Sequence, residues 1–165
     1  MKECPQIRND DVLQTEMSFT HHQRKELGER NIFDAFVEAD QILEGYNYPT
    51  ILAVLSEGIT KYPQWVEYIK ERQHRFEIQL HGSRHQNYKD MPPEYLERDL
   101  HKAQTLIQNT FGVDITTWYP PFGRKGTPEL GQEVCRNLGL RMYTQTGKVD
   151  AKLWLKQPEA YPHRS

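Results

Sequence analysis

The sequence has little cysteine and little net charge, and both shortages exclude classes of protein. Its 165 residues include two cysteines, Cys4 and Cys135, which lie far apart and lack the spacing of metal ligands. Two cysteines are too few for a disulfide-rich scaffold, so free thiols in a reducing compartment are the favoured interpretation. The 23 acidic and 21 basic residues leave a net charge of −2, which argues against nucleic acid as a partner.

The sequence also lacks a long apolar run. No stretch approaches the ~18 consecutive apolar residues of a membrane-spanning helix, so membrane insertion is not expected. The first ten residues, MKECPQIRND, have no apolar segment like that of a signal peptide. We therefore expect a cytoplasmic protein, unless a leader has been removed.

The composition is polar but still that of a folded protein. Hydrophobic residues make up 36% of the chain, and the mean hydropathy is −0.85. Eleven per cent of the residues are nevertheless aromatic, and distinct apolar runs are present, which argues against disorder. A chain of this length suits one domain, so we predict a single domain over residues 1–165.

Short strand-like runs alternate with helical patterns, which indicates an α/β fold. The unbroken apolar run at 49–55 is typical of a parallel strand that is buried on both faces. A weak first strand should end at Arg8, and the polar segment 13–30 should contain a loop around 20–23. Thr127 is predicted to cap a later helix, because Pro128 and an acidic residue follow it.

Three predicted strands end in residues of unusual chemistry. Asp10 and Asp11 follow the first strand, His81 and His85 follow the third, and the segment 119–123, Tyr-Pro-Pro-Phe-Gly, follows the fourth. Since parallel α/β folds carry their chemistry at the carboxyl ends of the strands, these residues should lie near one another.

Each of the three groups also has an ordinary structural interpretation. Two imidazoles four residues apart can bind a divalent ion together with a carboxylate, but on the spacing alone exposed loop histidines are the favoured interpretation, because the pattern is short. Adjacent aspartates can divide the roles of general base and metal ligand, or they can belong to a turn. The proline-rich segment is a rigid loop whose aromatic side chains and N–H groups also suit a sugar and an oxyanion.

The order of these groups resembles the polysaccharide deacetylase family with NodB homology, carbohydrate esterase family 4. The resemblance runs from about residue 5 to residue 145. Two segments carry most of it, EIQLHGSRHQN at 77–87 and WYPPFGRKG at 118–126. It implies a distorted (β/α) barrel, complete or incomplete, and hydrolysis of an N-acetyl group on a sugar or polysaccharide.

The resemblance also implies the roles of four residues. Asp10 matches the catalytic base. Asp11, His81 and His85 match the ligands of a divalent metal ion, for which Zn²⁺ is the favoured identity given two imidazoles and one carboxylate.

The proline-rich loop matches the segment that contacts the carbohydrate substrate and the oxyanion. Its predicted substrate-binding residues are Tyr119, Pro120, Pro121 and Phe122. Of these, Phe122 matches the position whose backbone N–H holds the oxyanion.

The sequence departs from the family pattern in three places. An arginine that steadies the catalytic aspartate usually precedes the two prolines; Tyr119 stands there and brings no charge, and Arg124 is a nearby substitute. The family's Asp and Trp motif is reduced to Asp150 and Trp154. The sole match for the general-acid histidine is His163, for which a frayed terminus is the favoured interpretation.

These departures leave two alternatives to a deacetylase. One is a catalytically impaired relative that binds metal or glycan without turnover, and the other is a hydrolase of a small C–N bond outside polysaccharides. A short barrel would also have an open edge, for which homodimerisation is a fair hypothesis.

Overall fold

The computed structural model describes residues 7–144, which form a parallel sheet with helical crossovers. The strands pair side by side in the order of the chain, and every pairing is parallel. The five strands are β1 Ile7–Val12, β2 Thr50–Leu55, β3 Phe76–Gly82, β4 Thr117–Trp118 and β5 Arg141–Met142. The predicted α/β class is confirmed.

In the described part of the chain, five α-helices connect or flank these strands. They are α1 His21–Leu27, α2 Ile32–Gly45, α3 Pro63–Glu71, α4 Pro93–Phe111 and α5 Gly131–Asn137. None of these helices combines the length and the apolarity that a span across a bilayer requires.

The sheet has the form of an incomplete barrel. Within residues 7–144, β1 pairs with β2 alone and β5 pairs with β4 alone, so no strand pairing closes the ring. The two edges still approach each other at one end, where the Arg8 guanidinium lies 5.8 Å from the centre of the Tyr143 ring. Whether a second copy covers the open edge stays a prediction.

The core lies between the sheet and its helices. All six residues of β2 are buried, which accounts for the apolar run over 51–55, because both faces of this strand are covered. In β3, Ile78 and Leu80 join the main core, whereas the alternate residues Gln79 and His81 are buried on the other face. The interior of the curved sheet is therefore partly polar.

The first strand is longer than the sequence predicted. It continues past Arg8 to Val12, so that Asp10 and Asp11 belong to the strand and do not follow it. The pairing with β2 shifts between Asn9 and Val12, which marks a β-bulge at the two aspartates. A bulge of this kind leaves no signature in the hydrophobic pattern.

The loop predicted around residues 20–23 is wrong, since α1 begins at His21. Thr20 and Gln23 form a reciprocal capping box: the Gln23 N–H donates to the Thr20 hydroxyl at 3.1 Å, and the Thr20 N–H donates to Gln23 Oε1 at 2.8 Å. None of the α1 residues is buried, so the helix has no apolar stripe by which the sequence could have revealed it.

The predicted helix cap at Thr127 is also wrong, because α5 begins at Gly131 and its N-cap is Leu130. The Thr127 hydroxyl donates instead to the Gly123 carbonyl at 2.7 Å, where it braces the loop after β4. The Thr127 side chain therefore stabilises this loop and does not cap α5.

The fourth strand is shorter than predicted, since it starts at Thr117 rather than at residue 113. The backbone just before it bonds to side chains of α4. The Ile115 N–H donates to Gln108 Oε1 at 3.1 Å, and the Ile115 carbonyl accepts from Gln104 Nε2 at 3.1 Å. The helix thereby replaces the neighbouring strand as hydrogen-bond partner.

Candidate metal centre and cleft

The β-bulge in β1 places two adjacent carboxylates at one cavity. In a regular strand, neighbouring side chains point to opposite faces of the sheet. Asp11 has a φ of +61°, a left-handed conformation that is unfavourable for a residue with a Cβ atom. With this local strain, Asp10 and Asp11 both line a cavity of about 110 Å³.

His81 is buried at the end of β3 and held at three atoms. Its Nδ1 lies 2.5 Å from the Tyr119 carbonyl oxygen, and its own carbonyl accepts the Trp118 indole N–H at 3.0 Å. Its Nε2 lies 3.0 Å from Asp11 Oδ1. The bond to a carbonyl, which only accepts, requires the proton on Nδ1, so Nε2 faces the carboxylate.

His85 reaches the same carboxylate oxygen from the loop after β3. Its Nε2 lies 3.3 Å from Asp11 Oδ1, and its ring meets the Phe122 ring edge-on with the centroids 4.7 Å apart. The chain leaves the strand at Gly82, whose φ is +147° and where a Cβ atom would stand 2.5 Å from the Tyr88 hydroxyl. Glycine is therefore required for this exit.

The donor set fits a divalent metal ion. One ligand atom from each of Asp11, His81 and His85 lies within 4.8 Å of the other two. With its proton on Nδ1, a neutral His81 turns a lone pair toward Asp11 Oδ1, and two lone pairs at 3.0 Å repel unless a cation lies with them. Two imidazoles and a carboxylate are also a common ligand set for catalytic metals.

The titration of these residues agrees with a place for a cation. Burial opposes the charged form of His81, but the bond to Asp11 and the charges of Asp10 and Asp11 outweigh it and raise the pKa of His81. Burial likewise opposes ionisation of Asp11, yet the two histidines and Gln23 lower its pKa overall. For His85, burial prevails and the pKa is lowered. A proton at His81 thus occupies the position that suits a metal ion.

Gln23 holds the other oxygen of the metal-ligand candidate Asp11. Its Nε2 donates to Asp11 Oδ2 at 2.8 Å and to Gln14 Oε1 at 3.0 Å, while Oδ1 faces the histidines. The sequence reasoning missed Gln23. The available signal was the spacing of Thr20 and Gln23, which is that of a capping box.

Arg8 is the charged partner of Asp10. The uncharged Tyr119, which stands where the family has an arginine, left no such partner to be expected from position 119. The Arg8 Nε and one terminal nitrogen donate to the two carboxylate oxygens at 2.7 and 2.9 Å. Arg124, the substitute considered from the sequence, is not among the residues that line the cavity. Arg8 and Asp10 are two apart in a strand and so share a face, which is the signal that was overlooked.

The proline-rich loop divides between the cavity and the core. Pro120 and Phe122 line the cavity, whereas Tyr119 and Pro121 do not. Tyr119 is buried against Ile51 and Ala53 of the sheet interior. Phe122 has a φ of +61° and leaves 48% of its surface exposed at the cavity mouth.

The sequence-predicted residues Asp150, Trp154, His163 and Cys4 lie outside the described residues. The reduced motif at Asp150 and Trp154, the frayed terminus favoured for His163 and the free thiol expected at Cys4 therefore stay predictions. Cys135 is a buried free thiol of the core and is not part of the possible metal-binding group found among the described residues.

Comparison with known proteins points to one family. The family model described as polysaccharide deacetylase matches residues 28–143 of the chain. No curated protein sequence matches.

Solved structures of the same family are similar in fold. A polysaccharide deacetylase from Bacillus cereus has 17% identity and a TM-score of 0.57, with coverage of 86% of this chain and 58% of that one. A family 4 acetyl xylan esterase from Clostridium thermocellum, in complex with a cobalt ion, has 15% identity and a TM-score of 0.56, with coverage of 83% and 54%.

A third similar structure is a carbohydrate esterase family 4 pseudoenzyme from Bacillus anthracis. It has 13% identity and a TM-score of 0.55, with coverage of 67% of this chain and 37% of that one. The chain therefore spans about two fifths to three fifths of the length of these structures.

Proposed function

The chain belongs to the polysaccharide deacetylase family, and on that premise we propose that it is a metal-dependent hydrolase that removes N-acetyl groups from a sugar or polysaccharide. One observation carries the proposal. Asp10 and the set of Asp11, His81 and His85 line the same small cavity at the carboxyl ends of the parallel strands. A proton acceptor and a cation site side by side are what hydrolysis of an amide requires.

Asp11, His81 and His85 would hold the ion, and zinc is the identity that this donor set favours. When bound, a divalent ion polarises a carbonyl group and lowers the pKa of a water molecule. The cobalt ion in the related acetyl xylan esterase supports a divalent ion in this fold.

Asp10 accepts the proton of the attacking water. Its carboxylate is 37% exposed at the cavity, so it is open to a water molecule there, while Arg8 donates to both of its oxygens. As water adds to the amide carbon, negative charge gathers on the carbonyl oxygen, and the Phe122 N–H donates to it. The C–N bond then breaks as the proton held by Asp10 passes to the nitrogen, so that a free amine and acetate leave and Asp10 is again a carboxylate.

The size of the cavity suits the acetamido group alone. About 110 Å³ corresponds to a few water molecules, which is far below the ~300–1,000 Å³ of pockets that enclose a whole ligand. The sugar ring would therefore lie outside the cavity, against the exposed face of Phe122. Aromatic rings at a pocket mouth offer an apolar surface to such a ligand.

The first experiment tests the metal site without a substrate. Metal content of the purified protein is measured by mass spectrometry for the wild type, for His81→Ala and for His101→Ala, an exposed histidine on α4 that serves as the matched control. We expect about one divalent ion per chain in the wild type and the control, and none in His81→Ala. A wild type that binds no metal after reconstitution would contradict the proposal.

The second experiment tests turnover. N-acetylated oligosaccharides are incubated with the metal-loaded protein, and release of acetate is measured. Asp10→Asn should lower the rate by ~10²–10⁴-fold and spare metal binding, because it removes a general base without removing a ligand. Asp114→Asn, an exposed aspartate, is the matched control. Metal binding without turnover on any acetylated glycan would favour the impaired relative that binds without catalysis.

A further inference from the structure

Among the described residues that line the cavity, no lysine occurs and Arg8 is the one arginine. It holds Asp10 through two parallel N–H···O bonds, at 2.7 and 2.9 Å. A guanidinium that binds both oxygens of a carboxylate fixes the plane and the direction of that carboxylate, which a single hydrogen bond cannot do.

The guanidinium is itself held by aromatic rings from the far side of the sheet. Its central carbon lies 4.5 Å from the centroid of the Tyr119 ring, just after β4, and 5.8 Å from that of Tyr143, just after β5. The two rings contact each other edge-on at 5.4 Å. Arg8 thus joins β1 to the opposite edge of the open sheet.

This arrangement matters because Asp10 needs help to keep one orientation. Its side chain is 37% exposed and sits in a bulge next to a residue with a positive φ, so its own strand restrains it poorly. A misplacement of a reacting group by about 1 Å can cost ~10²-fold in rate. A partner that binds both carboxylate oxygens removes that freedom.

We infer that Arg8 is the positioning residue for Asp10, and that the ring of Tyr119 serves as the platform that keeps Arg8 in place. The inference rests on the proposed function, since it assigns a role within that reaction. It also gives Tyr119 a role other than contact with substrate. Because Tyr119 touches the guanidinium, an arginine placed at 119 would bring its own guanidinium into the same space.

The activity test uses the possibility that an arginine at position 119 replaces Arg8. Arg8→Ala should lower kcat by ~10–100-fold while KM and metal content stay near the wild-type values, because the base is misdirected and the ligands are untouched. Arg8→Lys should recover little, since an ammonium group cannot bind both oxygens in one plane. The double variant Arg8→Ala/Tyr119→Arg should recover at least part of the lost kcat.

The control is Arg72→Ala. Arg72 also lies over a tyrosine ring, that of Tyr68 at 4.1 Å, but on the outer helical side, away from the cavity. Its removal should leave kcat unchanged. A loss of kcat in Arg8→Ala that the double variant fails to restore, or a loss matched by Arg72→Ala, would refute a specific positioning role.

A second measurement is independent of turnover. In the full-length protein, the Arg8 Nε–H should give a ¹⁵N–¹H signal that exchanges slowly with water, since Nε donates to Asp10. The signal should be lost in Asp10→Ala, which removes the acceptor, and weakened in Tyr119→Leu, while Tyr119→Phe should retain it because the ring face remains.

The two measurements separate the inference from the proposed function. If the wild type releases no acetate from any substrate, the proposed function fails, and the Arg8 signal alone decides whether Arg8 orients Asp10. If turnover is found but the signal exchanges freely in the wild type, the inference is overturned and the deacetylase stands.

Discussion

Tyr88 links the loop that carries His85 to α4. Removal of its hydroxyl group tests quantitatively how this link stabilises the site. The hydroxyl donates to Asp99 Oδ2 on α4 at 2.9 Å and accepts the Ser83 N–H at 3.3 Å. The Ser83 hydroxyl donates to the same Asp99 oxygen at 2.9 Å. Burial, with the Asp99 charge, raises the pKa of Tyr88, so the hydroxyl stays protonated and donates.

The change Tyr88→Phe removes this hydroxyl and keeps the buried ring. A hydrogen bond to a charged group contributes about 1.5–3 kcal/mol to stability, and the lost donor leaves Asp99 with one partner fewer. For a chain of this length, each kcal/mol corresponds to ~2–4 °C in Tm. We therefore expect Tm to fall by roughly 3–12 °C, measured by differential scanning calorimetry.

Metal affinity should fall with it. The Ser83 N–H anchors the turn between His81 and His85, so its release lets His85 move relative to Asp11. In other metal sites, loss of a residue that hydrogen-bonds to a ligand lowers metal affinity by ~10–100-fold. Tyr88 does not bond to a ligand directly, so we expect the lower end of this range, about tenfold, for Tyr88→Phe. Zinc affinity is measured by competition with a chromophoric chelator.

The matched control is Tyr95→Phe. Tyr95 is an exposed tyrosine on α4, the helix that carries Asp99. This variant should leave both Tm and zinc affinity unchanged. If Tyr88→Phe has the same Tm as this control, the hydrogen bonds through Asp99 do not stabilise the fold. If Tm falls but zinc affinity does not, the turn is held by other contacts.

Three further predictions follow from the site and the core. Gln23→Ala should weaken zinc binding by ~10–100-fold in a competition assay, because it frees the outer oxygen of Asp11, and an unchanged affinity would show that the carboxylate is held without it. In the metal-free protein, the pKa of Asp11 is lowered from 3.8, so the stability that its ionised form contributes is present above pH 3.8 and is lost as pH falls through the folded pKa. The pKa of His81 is raised from 6.5, so the stability that its charged form contributes is present below pH 6.5 and is lost as pH rises through the folded pKa. The free energy of unfolding lost in His81→Gln should therefore be largest between these limits in urea titrations, and a loss independent of pH would contradict the ion pair. Burial raises the pKa of Cys135 to about 12, so in a Cys4→Ser background the native thiol should react with a disulfide reagent at pH 8 only on unfolding, and prompt labelling of the folded protein would contradict its burial.

Much of the fold could be predicted because its signals are local. Apolar residues on both faces of 49–55 require a covered parallel strand, and the stripe of Leu96, Leu100 and Ile107 requires a helix on that sheet. The weakly patterned parts were missed. The helix α1 has no buried residue, and β4 is short because glutamine side chains of α4 take the place of a strand partner.

The candidate site shows the same division. The residue types at the strand ends suffice to suggest a carboxylate and two imidazoles near one another. The bulge that places both Asp10 and Asp11 at one cavity could not be predicted from the pattern of hydrophobic residues. Nor does the pattern reveal Gln23, which reaches the site from a helix with no apolar face.

By itself, the sequence determined the parallel α/β arrangement and the strand ends at which the polar residues gather, because hydrophobic period and strand polarity depend on neighbours along the chain. Only the tertiary structure decided which groups serve which carboxylate. Arg8 rather than Arg124 binds Asp10, since a guanidinium chooses its partner by distance and direction across the sheet, and those depend on how β1, β4 and β5 curve toward one another.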